Sequence, residues 1–108
     1  MKLTDREALL KVDVDQGTTP LTRGLMDWRL RRAGFTIVKL VRRRSPSETG
    51  WHLVARVSPR PSSPLVVVAL QLLLGSDPMR EACNLRRAIV WPRMPKWART
   101  QFNRLYEK

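Results

Sequence analysis

From Leu10 to Asp15 apolar and polar side chains alternate strictly, and this pattern constrains the fold more than any other in the chain. Successive side chains of a strand point to opposite faces of a sheet, so one face of this segment is apolar and the other is polar. The sequence therefore predicts a half-buried strand over residues 9–15. Its apolar face carries Leu10, Val12 and Val14, and its polar face carries Lys11, Asp13 and Asp15.

A helix and two further strands are predicted after this strand. Thr19 followed by Pro20 is typical of a helix start, and Gly34 is typical of a helix end. Residues 35–42 and 51–58 are rich in branched and aromatic side chains, which predicts two strands joined by a hairpin. The apolar side of the predicted helix is formed by Leu21, Leu25, Trp28 and Leu30.

Two more helices are predicted in the second half of the chain. Ser63 caps a nearly all-apolar helix over residues 64–74, although Val66, Val67 and Val68 would also suit a strand. Asp77 begins another helix over residues 78–89. The second of these is predicted to turn Met79, Ala82, Cys83 and Leu85 inward. The C-terminal segment, residues 91–108, is basic and aromatic, and it is predicted to end as a short helix or as an edge strand at residues 104–107.

The order strand, helix, strand, strand, helix predicts an α+β fold. It fits an RRM-like or ferredoxin-like antiparallel sheet with helices packed on one face, to which the C-terminal segment would add a fourth strand. We expect residues 1–108 to form a single domain, since 108 residues leave no room for a second core. The sheet face opposite the helices would then be open to a ligand.

The chain carries 21 Lys and Arg residues against 9 Asp and Glu residues, a formal net charge of +12. Such a surface attracts polyanions, and its guanidinium groups bind phosphate through two parallel hydrogen bonds. No apolar run is long enough to span a membrane, and the first residues do not form a signal peptide. A single cysteine is typical of a reducing compartment. We therefore expect a cytoplasmic protein whose partner is a nucleic acid and not a membrane.

Two basic segments, together with Arg56 of the third strand, contain the candidate contacts to nucleic acid. Arg42, Arg43 and Arg44 end the second strand, and the C-terminal segment combines basic residues with two tryptophans that can stack on bases. Alternatively, the arginine run is a solvated strand end, and the two tryptophans of the C-terminal segment close the core. We also expect Trp28 and Trp51 to be core residues. The candidate nucleic-acid-binding residues are Arg42, Arg43, Arg44, Arg56, Trp91, Arg93 and Trp97.

Pairing the first and third strands places Asp13 and Asp15 on the same open face as His52 and Arg56. Two carboxylates at positions i and i+2 of a strand can hold a divalent metal, and a neighbouring His or Arg can meet a triphosphate. The alternative is that the acids lead into a turn and that His52 is an ordinary surface residue.

The segment Val12-Asp13-Val14-Asp15, followed by a helix, a strand and then Ser47-x-x-Gly50-x-His52, resembles the first two motifs of the archaeo-eukaryotic primase superfamily. The resemblance covers residues 10–55 and implies an RRM-like catalytic unit. It implies that Asp13 and Asp15 bind catalytic Mg or Mn ions and that His52 contacts the incoming nucleotide. The family's third acid has only Asp77 and Glu81 as candidates here, and the usual zinc-binding insertion is missing.

We therefore expect a small basic protein that binds single-stranded DNA or RNA, with a primase-related core that suits a viral or plasmid replication module. One alternative is a metal-dependent nucleotidyltransferase that uses Asp13, Asp15 and His52. The other is a basic protein-interaction module, so the sequence leaves open whether the chain is an enzyme.

Overall fold

The computed structural model describes residues 3, 5–14, 19–44, 50–90 and 93. The fold of this part of the chain is α+β, as predicted, and it is consistent with the ferredoxin-like or RRM-like plan. Strand β3 lies between β1 and β2 and pairs antiparallel with both. The elements are β1 (Ala8–Val14), α1 (Arg23–Arg32), β2 (Thr36–Arg44), β3 (Trp51–Ser58), α2 (Pro64–Leu73) and α3 (Pro78–Ile89).

The core lies between one face of the sheet and the first two helices. Leu10, Val12 and Val14, the apolar face predicted for β1, are almost fully buried there. Removing this surface from water is the main favourable contribution to folding, about 25 cal/mol for each Å² of apolar area. The remaining buried members of the core are Met26, Leu30, Ile37, Leu53, Ala55, Val57, Leu70 and Leu74.

The outer edge of β1 is hydrogen-bonded to the region where α2 meets α3. The N–H of Lys11 donates to Oε1 of Gln71 at 2.8 Å, and the N–H of Asp13 donates to Oγ of Ser76 at 3.1 Å. The N–H of Asp77 donates in turn to the carbonyl of Asp13 at 2.6 Å. The α2–α3 turn therefore occupies the edge at which the RRM-like plan would pair a fourth strand.

A buried carboxylate holds this corner together. Glu81, which is 1% exposed, accepts hydrogen bonds from Nε2 of Gln71 at 2.8 Å and from Nδ2 of Asn84 at 3.1 Å. Its other oxygen accepts from Oγ of Ser76 at 2.6 Å and from the guanidinium of Arg80 at 2.5 Å. Buried polar groups are costly unless they are hydrogen-bonded, and this cluster meets that requirement with its own side chains.

Helix α1 begins three residues later than predicted, because Thr22 and not Thr19 is the N-cap. The backbone of Thr22 is extended, and its Oγ1 accepts a hydrogen bond from the N–H of Leu25 at 3.2 Å. Gly34, at a φ of 91°, follows the helix end as predicted, since glycine adopts positive φ at little cost.

The predicted apolar side of α3 is wrong, and that of α1 is right only at Leu21, which packs against the core, and at Leu30, which is buried. On α1, Met26 and Leu30 are buried, whereas Leu25 and Trp28 are 37% and 56% exposed. On α3 the buried residues are Glu81, Asn84 and Ala88, so most of the apolar residues of this helix lie outside. The residues predicted to face inward, Met79, Ala82, Cys83 and Leu85, are all exposed.

The predicted helix or strand at the end of the chain lies outside the described residues. In the part of the chain that the structure describes, no helix combines the length and the apolar content needed to cross a membrane.

Candidate nucleic-acid interface

The arginine run forms the exposed end of β2, an edge strand of the sheet. Alternate side chains point to opposite faces, so Arg42 and Arg44 lie on the helix side, where Arg44 is opposite Trp51. Arg43 lies on the other face, opposite His52. The run therefore presents positive charge on both faces of one sheet edge. The strand extends two residues further than predicted, through Arg43 and Arg44.

Trp51 orients the two arginines on the helix side. The central guanidinium carbons of Arg42 and Arg44 lie 5.6 and 4.7 Å from the centre of its ring. The ring is partly buried and packs against the core, as predicted, so it is a fixed support. Stacking uses the flat face of a guanidinium group, whereas phosphate is bound by the N–H groups at its edge. The sequence prediction missed this role because it treated Trp51 as a core residue only.

The sheet face opposite the helices is exposed mainly along β2. Lys39, Val41 and Arg43 are exposed on this strand, whereas Val54 on β3 is half-buried and His52 is buried. An irregularity between Ile37 and Lys39 in the pairing of β2 with β3 places Ile37 in the core while Lys39 stays on the outer face. The open face that the sequence predicts is therefore confined to its β2 side.

Arg56 makes an ion pair inside the fold. Its Nε lies 3.2 Å from Oε2 of Glu7, and the two side chains are 24% and 11% exposed. Its carboxylate partner is thus Glu7, whereas the prediction grouped it with Asp13 and Asp15. A guanidinium group that already compensates a partly buried carboxylate is less suited to bind phosphate than the exposed arginines of β2.

Other acidic side chains are also paired within the fold. Asp27 lies 3.2 Å from Nε of Arg23, and Glu81 pairs with Arg80. Each of these pairs cancels one acid and one arginine, so the long-range field of the molecule is set by the remaining surplus of arginine and lysine.

Asp13 and His52 lie on the same face of the sheet, as predicted, and the register of β1 and β3 makes them direct neighbours. The Nε2 of His52 lies 3.8 Å from Oδ1 of Asp13, whose side chain is 25% exposed. The prediction that His52 faces solvent is wrong, because this residue of the central strand is 2% exposed. The Nδ1 of His52 has no hydrogen-bond partner among the described residues. A histidine buried to this extent is not accessible to an incoming nucleotide.

The described residues do not assemble a metal site. They contain no group of three or more His, Cys, Asp or Glu side chains placed to hold a metal ion. The two candidates for a third acid have structural roles instead: Asp77 caps α3 by accepting from the N–H of Met79, and both oxygens of Glu81 are hydrogen-bonded. Asp15, the second acid of the predicted metal pair, lies outside the described residues.

Other predicted site residues are located only in part. Arg93 is described and is exposed. The predicted stacking residues Trp91 and Trp97 lie outside the described residues, as does Ser47 of the primase-like motif. Their roles stay predictions.

When the chain was compared with protein-family models, with curated proteins and with solved structures, nothing matched. The resemblance to the archaeo-eukaryotic primase motifs therefore stays a prediction from the sequence.

Proposed function

We propose that the chain binds single-stranded nucleic acid at the exposed end of β2, where Arg42, Arg43 and Arg44 contact phosphates. One observation carries the proposal: three consecutive arginines are exposed at the end of an edge strand, and two of them stack on a fixed tryptophan. We call these three arginines and Trp51 the β2 interface.

A nucleic acid suits the β2 interface because its phosphates repeat closely along the backbone. A strand end with arginines on both faces can contact several neighbouring phosphates, and each contact releases condensed counterions. Phosphate contacts carry no information about base sequence, so we expect little sequence preference. We favour single strands because their bases are free to stack on guanidinium groups and aromatic rings.

The nucleotidyltransferase alternative is not part of this proposal, since it requires a nucleotide to reach His52. A primase-related origin and a place in a viral or plasmid replication module rest on the sequence resemblance alone.

Charge reversal tests the β2 interface. The variant in which Arg42, Arg43 and Arg44 are all changed to Glu is compared with a control in which Arg31, Arg60 and Arg86 are changed to Glu. The control residues are also exposed, and the net charge changes equally. Binding of labelled single-stranded DNA and RNA is measured by fluorescence anisotropy over a range of salt concentrations.

We expect the β2 variant to lose binding at moderate salt and the control variant to retain most of it. In the wild-type chain, log affinity should fall linearly with log salt, and the loss of three phosphate contacts should reduce that slope by about 2. Equal losses in the two variants would show that only net charge matters. A wild-type chain that binds neither DNA nor RNA at low salt would overturn the proposal and favour the protein-interaction alternative.

A further inference from the structure

The outer surface of α2 is apolar along its whole length. Leu65 and Leu72 are 46% and 45% exposed, and Ala69 and Leu73 are exposed on the same side of the helix. These positions have the i, i+4, i+7, i+8 spacing of a single helical face. α2 contains no charged residue at all. An uncharged apolar stripe of this kind commonly marks an interaction surface.

The stripe continues onto α1 at Trp28, which is 56% exposed. Trp28 and Leu73 line the same surface groove of about 280 Å³. Arg29 donates to the carbonyl of Leu73 at 2.9 Å, and the guanidinium carbon of Arg32 lies 5.1 Å from the centre of the Trp28 ring. The apolar surface thus has an arginine rim at this end. We call Leu65, Ala69, Leu72, Leu73 and Trp28 the α2 patch.

We propose that the α2 patch binds the same patch on a second copy of this chain, forming a two-fold symmetric homodimer. Two copies that each carry a net charge of +12 repel each other over most of their surfaces. They approach at the lowest electrostatic cost through a surface with little charge. The exposed side of α2 has no charge of its own, and Arg29 and Arg32 lie only at its C-terminal end. An acidic protein would be drawn to the arginine-rich surfaces instead.

The spacing along α2 suits a two-fold arrangement. Leu65 and Leu73 lie four residues before and after Ala69, so the pattern Leu-x-x-x-Ala-x-x-x-Leu has the same spacing in both directions. In an antiparallel pair centred on Ala69, the small side chains let the helices approach, and Leu65 of each copy meets Leu73 of the other.

The α2 patch is small, and its size sets the expected strength of the dimer. Stable interfaces bury about 800 Å² on each partner, which is more than five side chains supply. We therefore expect a weak, reversible dimer that forms at micromolar concentrations or above, on the order of the affinity of small interfaces. The dimer does not depend on nucleic acid, but it would join two β2 interfaces in one particle and raise the avidity for a long strand.

Sedimentation equilibrium of the full chain, freed of nucleic acid by nuclease and a high-salt wash, tests the dimer. The mass should rise from monomer to dimer with concentration, and the dimer should be tighter at high salt because screening weakens the repulsion between the copies. Dimers bridged by residual nucleic acid would weaken with salt instead.

Ala69→Glu should weaken the dimer more than about tenfold, because it buries charge at the two-fold axis. The matched control is Ala82→Glu, which places the same charge on the exposed side of α3 and should change nothing.

A cross-linking experiment tests the geometry without disturbing the patch. In a Cys83→Ser background, Ala69→Cys should form a disulfide-linked dimer under a mild oxidant, since two cysteines at a close two-fold axis satisfy the distance that a disulfide requires. Ala82→Cys in the same background should remain monomeric. A chain that is monomeric at every concentration and salt, or cross-linking that is equal at the two positions, would overturn the proposal. Binding to anionic lipid vesicles that Ala69→Glu abolishes, while the chain stays monomeric, would overturn it in favour of a membrane surface.

Discussion

The central guanidinium carbon of Arg44 lies 4.7 Å from the centre of the Trp51 ring, and that ring is fixed against the core. A cation stacked on an aromatic ring contributes about 0.5–1 kcal/mol at an exposed site, which is little compared with the stability of a fold. We expect its greater effect to be on the proposed binding of nucleic acid. A side chain held in one orientation before the ligand arrives loses less conformational entropy when it contacts a phosphate.

Trp51→Leu should therefore weaken binding of single-stranded nucleic acid by about two- to fivefold, the factor that corresponds to the lost stacking. The slope of log affinity against log salt should not change, because the number of phosphate contacts stays the same. Trp28→Leu is the control, since Trp28 also carries a stacked arginine but lies outside the β2 interface. Because Trp28 belongs to the α2 patch, both variants are titrated with a strand too short to be shared by two copies. Anisotropy titrations at several salt concentrations measure both quantities. A shallower slope for Trp51→Leu would mean that the ring holds the arginines in contact with phosphate and does more than orient them.

Asp13 and Asp15 place negative charge on β1 and in the segment that follows it. If they take no part in ligand binding, changing both to Asn should strengthen binding of single strands. We expect about a twofold gain for each charge, the effect of one unit charge at roughly 10 Å in water. Binding should not require Mg or Mn, which should only weaken it as competing counterions of the phosphates. Weaker binding in the double variant, or a requirement for a divalent cation, would contradict this prediction and restore the nucleotidyltransferase alternative.

The N-cap of α1 can be tested by comparing two threonines. Thr22→Ala removes the side chain that accepts from the N–H of Leu25, so the free energy of unfolding should fall by about 1 kcal/mol. Thr19→Ala affects an exposed residue before the helix and should change the free energy of unfolding by less than about 0.5 kcal/mol. Urea unfolding of both variants measures the difference. Equal losses would contradict a helix start at Arg23.

The strands could be predicted from the sequence because their side chains alternate with period two. The same alternation placed Asp13 on one face with His52 and separated the two faces of β1, whereas the direct pairing of Asp13 with His52 comes from the register of the strands. It could not predict that His52 is buried. Alternation shows which residues share a face of the sheet. Whether that face is buried or exposed depends on contacts with residues far apart in the sequence.

The helix faces were harder to predict because hydrophobicity is a poor guide in two of the three helices. α3 turns Glu81 and Asn84 inward, and their cost of burial is offset by hydrogen bonds within the cluster. The same cluster holds Gln71, which binds the backbone of Lys11, a residue 60 positions earlier. No local sequence pattern reveals such a pairing. It lies at the edge of β1 where the sequence predicts a fourth strand.

The buried cluster also leads to the strongest prediction for stability. Glu81→Gln keeps the shape of the side chain but replaces one acceptor oxygen with a donor that faces other donors, and it removes the charge that Arg80 pairs with. Leaving a buried charge without its partner costs several kcal/mol, so the free energy of unfolding should fall by about 3 kcal/mol. Asp27→Asn makes the same chemical change in a more exposed pair with Arg23 and should cost less than about 1 kcal/mol.

Urea unfolding compares the two variants, and hydrogen exchange at the amide of Lys11 should be faster only in Glu81→Gln, because Gln71 loses its anchor. Equal destabilisation of the two variants, or unchanged exchange at Lys11, would mean that the cluster does not hold the edge of β1.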